Sequence, residues 1–305
     1  MPITKRIAAL GAVAAAAGLA LSGCATGDPM VEPESGGDTI VIGSAAFAES
    51  EILAYVYAEA LRASGFSVEV RPSIGARDAY IAALEDGSID VVPEYTGNLL
   101  QYFDSAATAQ SSDDVYAALV DAVPEGFAVL GQAAAADADS YNVTRAFSEE
   151  YGVTSLADLA DVPIPLRVAA NPEFAERPYG IPGLLEVYGV EATLVPINDG
   201  GGPNTLQALL NGDVEIADIY STTPSIAEND LVTLADPESM ILAQNVVPLI
   251  DASILTDELA AAIDAIQGAL TTADLIAMNT RSSGDEKASA DQIAADWVAA
   301  SGLFG

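Results

Sequence analysis

The chain has 305 residues, 51% of them apolar, enough for one large or two ordinary buried cores. Ten Lys plus Arg against 45 Asp plus Glu give a formal charge of −35, which argues against nucleic acid as a partner because phosphates would be repelled. The absence of histidine removes Ser-His-Asp catalysis and the commonest metal ligand, and a single cysteine leaves neither a disulfide framework nor a Cys-based zinc site.

The first segment has a basic start (Lys5, Arg6), an apolar run and then Leu21-Ser22-Gly23-Cys24. This reads as an export signal. It resembles a bacterial lipoprotein signal over residues 1–23, cut before a lipidated Cys24 that anchors the chain to the membrane. Residues 24–38, rich in Gly, Pro, Ser and acid, are expected to be a flexible tether.

From Thr39 strand-like and helix-like segments alternate. "TIVIGS" is a β-branched run, "AESEILAYVYAEALRASG" carries apolar residues at helical spacing up to Gly65, and "FSVEVRP" alternates as a strand does. "GARDAYIAALEDG" predicts a helix ending at Gly87, and "SIDVVPEYTG" a strand that runs into a small-polar turn. The same order returns after Pro165 as "LRVAA", "PGLLEVYG", "ATLVPIND", "GPNTLQALLNG" and "VEIADIYST". The last pieces align at an offset of 125 residues, which carries Ala83-Leu84 onto Ala208-Leu209, Gly87 onto Gly212, Asp90 onto Glu215, Tyr95 onto Tyr220 and Thr96 onto Ser221. This predicts two similar α/β lobes. Ligands gather beyond the carboxyl ends of parallel strands, so facing lobes would put Tyr95 and Tyr220 on one cleft. The alternative for each ring is core packing. The tail adds the apolar run "NVVPLI" and three helical segments near 256–269, 271–280 and 288–301, with Thr256 and Thr271 or Thr272 as N-cap candidates. It is expected to pack back on the first lobe, which then comprises residues 39–136 and 242–305, with the second spanning 137–241.

Several segments, in this order and spacing, resemble the lipid-anchored substrate-binding proteins of ABC importers for glycine betaine, choline and related osmoprotectants. They are "IGSAAFAESEIL", "ALEDGSIDVVPEYTGNLL", "VTRAFSEEYGVTSLADLA", "NPEFAERPYGIPGLLEVYG", "ALLNGDVEIADIYST" and "LTTADLIAMNTR". The resemblance implies an α/β, two-lobed, periplasmic-binding-protein-like fold (type II) with two hinge crossings, placed near Ala136 and Ile241. It implies a tyrosine cage around a quaternary ammonium group, to which Tyr95, Tyr220 and Tyr141 are carried over, and an arginine on the ligand carboxylate, carried over to Arg177. Ser44, Phe47, Glu49, Thr96, Asn98 and Tyr179 complete the implied ligand-binding set. The cage is chemically sound: a permanent cation without N–H donors is held by electron-rich ring faces, at about 0.5 to 2 kcal/mol each. Departures from the family pattern fall at Ala45 (often Lys), Ala48 and Asn98 (often Thr), Tyr179 (often acidic) and Gln244 (often Tyr), and they bear on ligand identity more than on fold.

The resulting expectation is an extracytoplasmic lipoprotein, monomeric and without enzymatic activity, that captures a quaternary-ammonium or zwitterionic small molecule for an ABC permease and its separate ATPase. No cofactor and no metal are expected: "NDGGGPN" is not a nucleotide signature, and Asp137 with Asp139 does not form a calcium loop. Three alternatives stay open: a binding protein for a different small polar solute, a sensor that binds without transport, and a carboxylate-based hydrolase working through Glu49 and Glu94.

Overall fold

The computed structural model describes residues 39–304. The signal, Cys24 and the tether lie outside the described residues.

Among the described residues ten strands form two five-stranded sheets. The first contains β1 (Ile40–Ala45), β2 (Val68–Gly75), β3 (Val91–Tyr95), β4 (Phe127–Val129) and the late strand β10 (Val246–Asp251), in the order β2-β1-β3-β10-β4. The second contains β5 (Tyr141–Thr144), β6 (Leu166–Ala170), β7 (Ala192–Pro196), β8 (Ile216–Asp218) and β9 (Leu231–Thr233), in the order β7-β6-β8-β5-β9. Each sheet has a parallel trio flanked by one antiparallel strand: β10 runs against β3 and β4, and β5 runs against β8 and β9.

The repetition extends to single side chains. Ile42 stands opposite Val91 in the first sheet, and Val168 stands opposite Ile216 in the second. Asp90 accepts the backbone N–H of Val41 at 2.7 Å, and its counterpart Glu215 accepts that of Arg167 at 2.9 Å. Gly87 and Gly212 follow equivalent helices, Arg77–Glu85 and Pro203–Asn211, with φ of +73° and +76°. That left-handed conformation strains any residue with a Cβ and closes the helix end.

The chain passes between the sheets twice, through 130–140 and 234–245. The two crossings lie side by side: Ala136 bridges Asn245 antiparallel, and the Asp137 N–H donates to the Gln244 carbonyl at 3.1 Å. Two short antiparallel threads that join two sheets side by side suit a hinge.

The three tail helices, Asp257–Ala269, Thr272–Ser283 and Ala290–Ser301, share one apolar core with the helix Ala48–Ala63, through Leu53, Val56, Ile263, Leu275 and Ile293 among others. Thr256 and Thr271 cap the first two, Thr271 in a reciprocal box with Asp274; such caps stabilise a helix by about 1 kcal/mol. Trp297 packs half-buried against that core.

One local expectation is corrected. The stretch after Tyr95 is not a turn but the first turn of a helix, Thr96–Phe103. Leu99 and Leu100 are buried there, so burial of an apolar face outweighs the turn chemistry of Thr-Gly-Asn. Gly97 permits this junction, since a Cβ would lie 2.7 Å from both the Ala243 carbonyl and Leu242 Cβ. The second crossing therefore packs directly on the backbone that follows Tyr95.

Candidate functional site

A cavity of about 120 Å³ is walled by residues from both halves of the chain. Tyr95 ends β3 and Tyr220 follows β8 by two residues, so equivalent positions in the two halves face the same space. Phe47, at the N-cap of the helix Ala48–Ala63, joins them: its ring centroid is 6.2 Å from that of Tyr95 and 5.3 Å from that of Tyr220, the latter edge-on at 69°. The result is one continuous aromatic wall drawn from both halves of the chain. Tyr179 adds a further ring, T-shaped on Phe174 at 5.7 Å.

Each ring is fixed from behind. The Tyr95 hydroxyl donates to Glu49 Oε1 at 2.7 Å. Burial, and then the Glu49 charge, push that hydroxyl well above the ordinary phenol range, so it stays a donor and leaves the ring electron-rich. Asn171 Nδ2 donates to the Tyr220 hydroxyl at 3.2 Å, while Asn171 Oδ1 accepts the Gly200 N–H at 3.1 Å. Gly200, at φ +64°, lies where a Cβ would come 3.1 Å from Phe47 Cβ and 3.6 Å from Tyr220 Cε2. The loop can lie on the aromatic wall only as glycine.

The Gly-rich loop itself is not an anion site. Asp199 accepts from the N–H groups of Gly202, Asn204 and Thr205 and from the Thr205 hydroxyl at 2.6 Å, so the helix N-terminus is already filled by this chain's own carboxylate.

The charges around the cavity divide into spent and available groups. Glu94 receives four donors: Arg77 Nε and Nη2 at 2.7 and 3.0 Å, the Tyr80 hydroxyl at 2.6 Å and the Tyr95 N–H at 2.9 Å. Burial opposes the Arg77 charge, but Glu94 more than offsets it and holds the guanidinium pKa well above its ordinary value. Arg177 has no such partner. Its Nη2 is 3.8 Å from Asp78 Oδ2 and its guanidinium carbon 5.6 Å from the Tyr102 ring centroid, so it bridges the cavity rim rather than pairing with Glu173 or Glu176.

Two buried carboxylates, Asp137 and Asp139, stand on the wall at the first crossing. Asp137 Oδ1 accepts from the Ser221 hydroxyl at 3.0 Å and the Thr222 N–H at 2.9 Å. Burial, and then the Glu49 charge, raise its pKa well above the usual carboxylate range. Asp139 Oδ2 accepts from Asn98 Nδ2 at 2.6 Å, and its pKa is raised by burial. Among the described residues no group of His, Cys, Asp or Glu is arranged to hold a metal ion.

Residues 38–300 match the family described as the substrate binding domain of ABC-type glycine betaine transport systems, OpuAC. The chain belongs to this family. A glycine-betaine-binding protein of Pseudomonas aeruginosa is 28% identical over 275 residues, covering 86% of this chain and 87% of that one. A solved glycine betaine/carnitine/choline ABC transporter structure superposes with a TM-score of 0.69 at 18% identity, covering 87% of this chain and all of the other. Lactococcal OpuAC in its closed, glycine betaine-bound form gives 0.61 at 16%, covering 86% and 95%. These likenesses establish the two-lobed, type II periplasmic-binding-protein-like fold.

Within this OpuAC-family cleft the residues expected from sequence separate into two layers. Phe47, Tyr95, Asn98, Arg177, Tyr179 and Tyr220 line the cavity. Ser44, Glu49, Thr96 and Tyr141 do not. Ser44 is buried, accepting the Ser73 N–H at 2.9 Å and so fixing the loop before Phe47. Thr96 donates to the Ala243 carbonyl and accepts the Asn245 N–H, tying the second crossing to the helix after Tyr95. Tyr141 is sunk beneath the wall, its ring 5.6 Å from Phe174 and its hydroxyl donating to the Tyr179 carbonyl at 2.7 Å. Glu49 supports rather than lines: besides Tyr95 it accepts from the Thr222 hydroxyl and from Asn279 Nδ2, both at 2.6 Å. The hydrolase alternative loses its geometry, because Glu49 and Glu94 are both saturated and neither faces the cavity.

Sequence reasoning missed Asp137, Asp139, Asn171 and Arg77. A signal was present for the first two, since alternate residues of an extended segment share one side, so "DAD" beside a crossing puts two acids on one face.

Proposed function

We propose that this protein captures a small quaternary-ammonium solute between its two lobes and presents it to an ABC permease, whose ATPase supplies the energy. The observation that carries this reading is the aromatic wall of Tyr95, Phe47 and Tyr220, built from both halves of the chain. A ligand seated there contacts both lobes and therefore stabilises the closed arrangement by its differential affinity. Three ring faces at about 0.5 to 2 kcal/mol each, together with buried carboxylates nearby, offer a methylated ammonium group what water cannot.

The lobes are taken to be 39–136 with 242–305 and 137–241, hinged at the paired crossings. The site of action is the outer side of the membrane, reached through the signal and held by a lipid on Cys24. The solute leaves chemically unchanged, and the protein works as a monomer without cofactor.

The test is calorimetric titration of the chain from Cys24 onward with glycine betaine, choline, carnitine, proline betaine and ectoine. Micromolar binding of at least one quaternary ammonium compound is expected. Failure of all to bind below the millimolar range would overturn the ligand class. Recovery of an altered solute after incubation would replace the binding role with an enzymatic one.

A further inference from the structure

Asp139 is reached by a two-step side-chain relay. Gln244, 2% exposed on the second crossing, grips Asn98 at both ends: Gln244 Oε1 accepts the Asn98 N–H at 3.0 Å, and Gln244 Nε2 donates to Asn98 Oδ1 at 2.6 Å. That fixes which way the Asn98 amide faces. Its Nδ2 is left to donate to Asp139 Oδ2 at 2.6 Å, and a flipped amide would press oxygen against carboxylate. The relay starts on one crossing, passes through the helix that follows Tyr95, and ends on a carboxylate of the other crossing, on the cavity wall.

The neighbouring charges assign that carboxylate a role. Arg77 is bound at two points by Glu94 and has little field left for a ligand. Arg177 stands at the rim over Tyr102. Against that one available cation the wall presents Asp137, Asp139 and Glu173, the last with a buried Oε2 that has no hydrogen-bond partner. Asp137 spends Oδ1 on the Thr222 N–H and the Ser221 hydroxyl. Asp218, beside Asp139 and 1% exposed, is pushed well above the usual carboxylate range by burial and then by the Asp139 charge. The Asp139 pKa is likewise raised by burial, and the Asn98 hydrogen bond works against that rise. Three acidic side chains thus face the cavity, Asp139 with the Asn98 amide turned to it, an arrangement that suits an ammonium group better than a ligand carboxylate.

We propose that Asp139 is the counter-charge of the bound cation, held in place by the positioning residues Asn98 and Gln244, and that it makes the site prefer a singly charged cation such as choline to a zwitterion such as glycine betaine. The proposal rests on the quaternary-ammonium reading above.

The experiment compares choline and glycine betaine affinities at pH 7 for the wild-type chain, Asp139→Asn, and Asn98→Thr, with thermal unfolding recorded for each. Asp139→Asn keeps an acceptor for Asn98 and removes only the charge, so choline affinity should fall at least tenfold and glycine betaine affinity less than threefold. Asn98→Thr should move the preference the same way by a smaller factor, and it carries the test if Asp139→Asn does not fold. A change that was merely structural would weaken both ligands equally. A wild-type chain that prefers glycine betaine, or variants that leave the ratio of the two affinities unmoved, would overturn the proposal while leaving the ammonium reading intact. A wild-type chain that binds neither ligand would overturn the proposal, and if carnitine, proline betaine and ectoine also failed to bind below the millimolar range it would overturn the ammonium reading as well.

Discussion

Tyr95 does two jobs that can be separated by substitution. Its hydroxyl is the only hydrogen-bond donor to Glu49 Oε1 among the described residues, at 2.7 Å, while its ring forms part of the wall. Tyr95→Phe removes the first and keeps the second. A hydrogen bond to a buried charged group is worth about 1.5 to 3 kcal/mol, and Glu49, 3% exposed, has no water to replace it. At roughly 2 to 4 °C per kcal/mol for a protein this size, the melting temperature should fall by several degrees. Ligand affinity should change little, because a phenyl ring keeps most of the quadrupole. Tyr95→Ala removes the ring as well, and affinity should drop by about one ring face, up to ~2 kcal/mol or some thirtyfold. The assays are calorimetric titration and thermal unfolding of all three proteins side by side. Equal affinity losses in Phe and Ala would refute the ring-face argument, and no loss in Ala would make Tyr95 a packing residue.

Two further outcomes follow from the same geometry, and a third from the proposed lipid anchor. Thr222→Val deletes the hydroxyl that reaches Glu49 across 173 residues of sequence, so ligand affinity should fall about tenfold and the ligand-free protein should scatter X-rays with a larger radius of gyration. Glu215 is held below its ordinary carboxylate range: burial opposes this, but the Arg167 hydrogen bonds, at 2.6 to 3.1 Å, more than offset it. A depressed folded-state pKa stabilises above the unfolded value, near 4.5 here, and loses that contribution as pH falls through the folded value; acid titrations of wild type and Glu215→Gln should therefore converge below that point. Cys24→Ser should move the chain from the membrane fraction to the soluble one, read by immunoblot, and unchanged fractionation would remove the lipid anchor.

Much of the fold was legible because its signals are local. Helical periodicity located Ala48–Ala63, and the glycines at 87 and 212 ended matching helices because both need positive φ. The 125-residue offset placed Tyr95 and Tyr220 at equivalent strand ends, which is where the cavity lies. What escaped is non-local. The strands Phe127–Val129, Tyr141–Thr144 and Leu231–Thr233 have three or four residues each, too few to show alternation. Tyr141 has the same parity as Asp139, yet two residues at about 3.4 Å each carry it into the sheet and under Phe174. Glu49 looked like a ligand residue because sequence cannot show that Thr222 and Asn279 claim it. Asn98 and Gln244, singled out separately as departures, turn out to be hydrogen-bonded to each other.

The account stands on a quaternary nitrogen held between rings of both lobes. A crystal structure of the chain soaked or co-crystallised with choline measures this directly. The nitrogen should lie within about 6 Å of the Tyr95 and Tyr220 ring centroids, with Asp139 on its open side. Choline bound elsewhere, or seated in the cleft with its nitrogen turned away from both rings, would contradict the account.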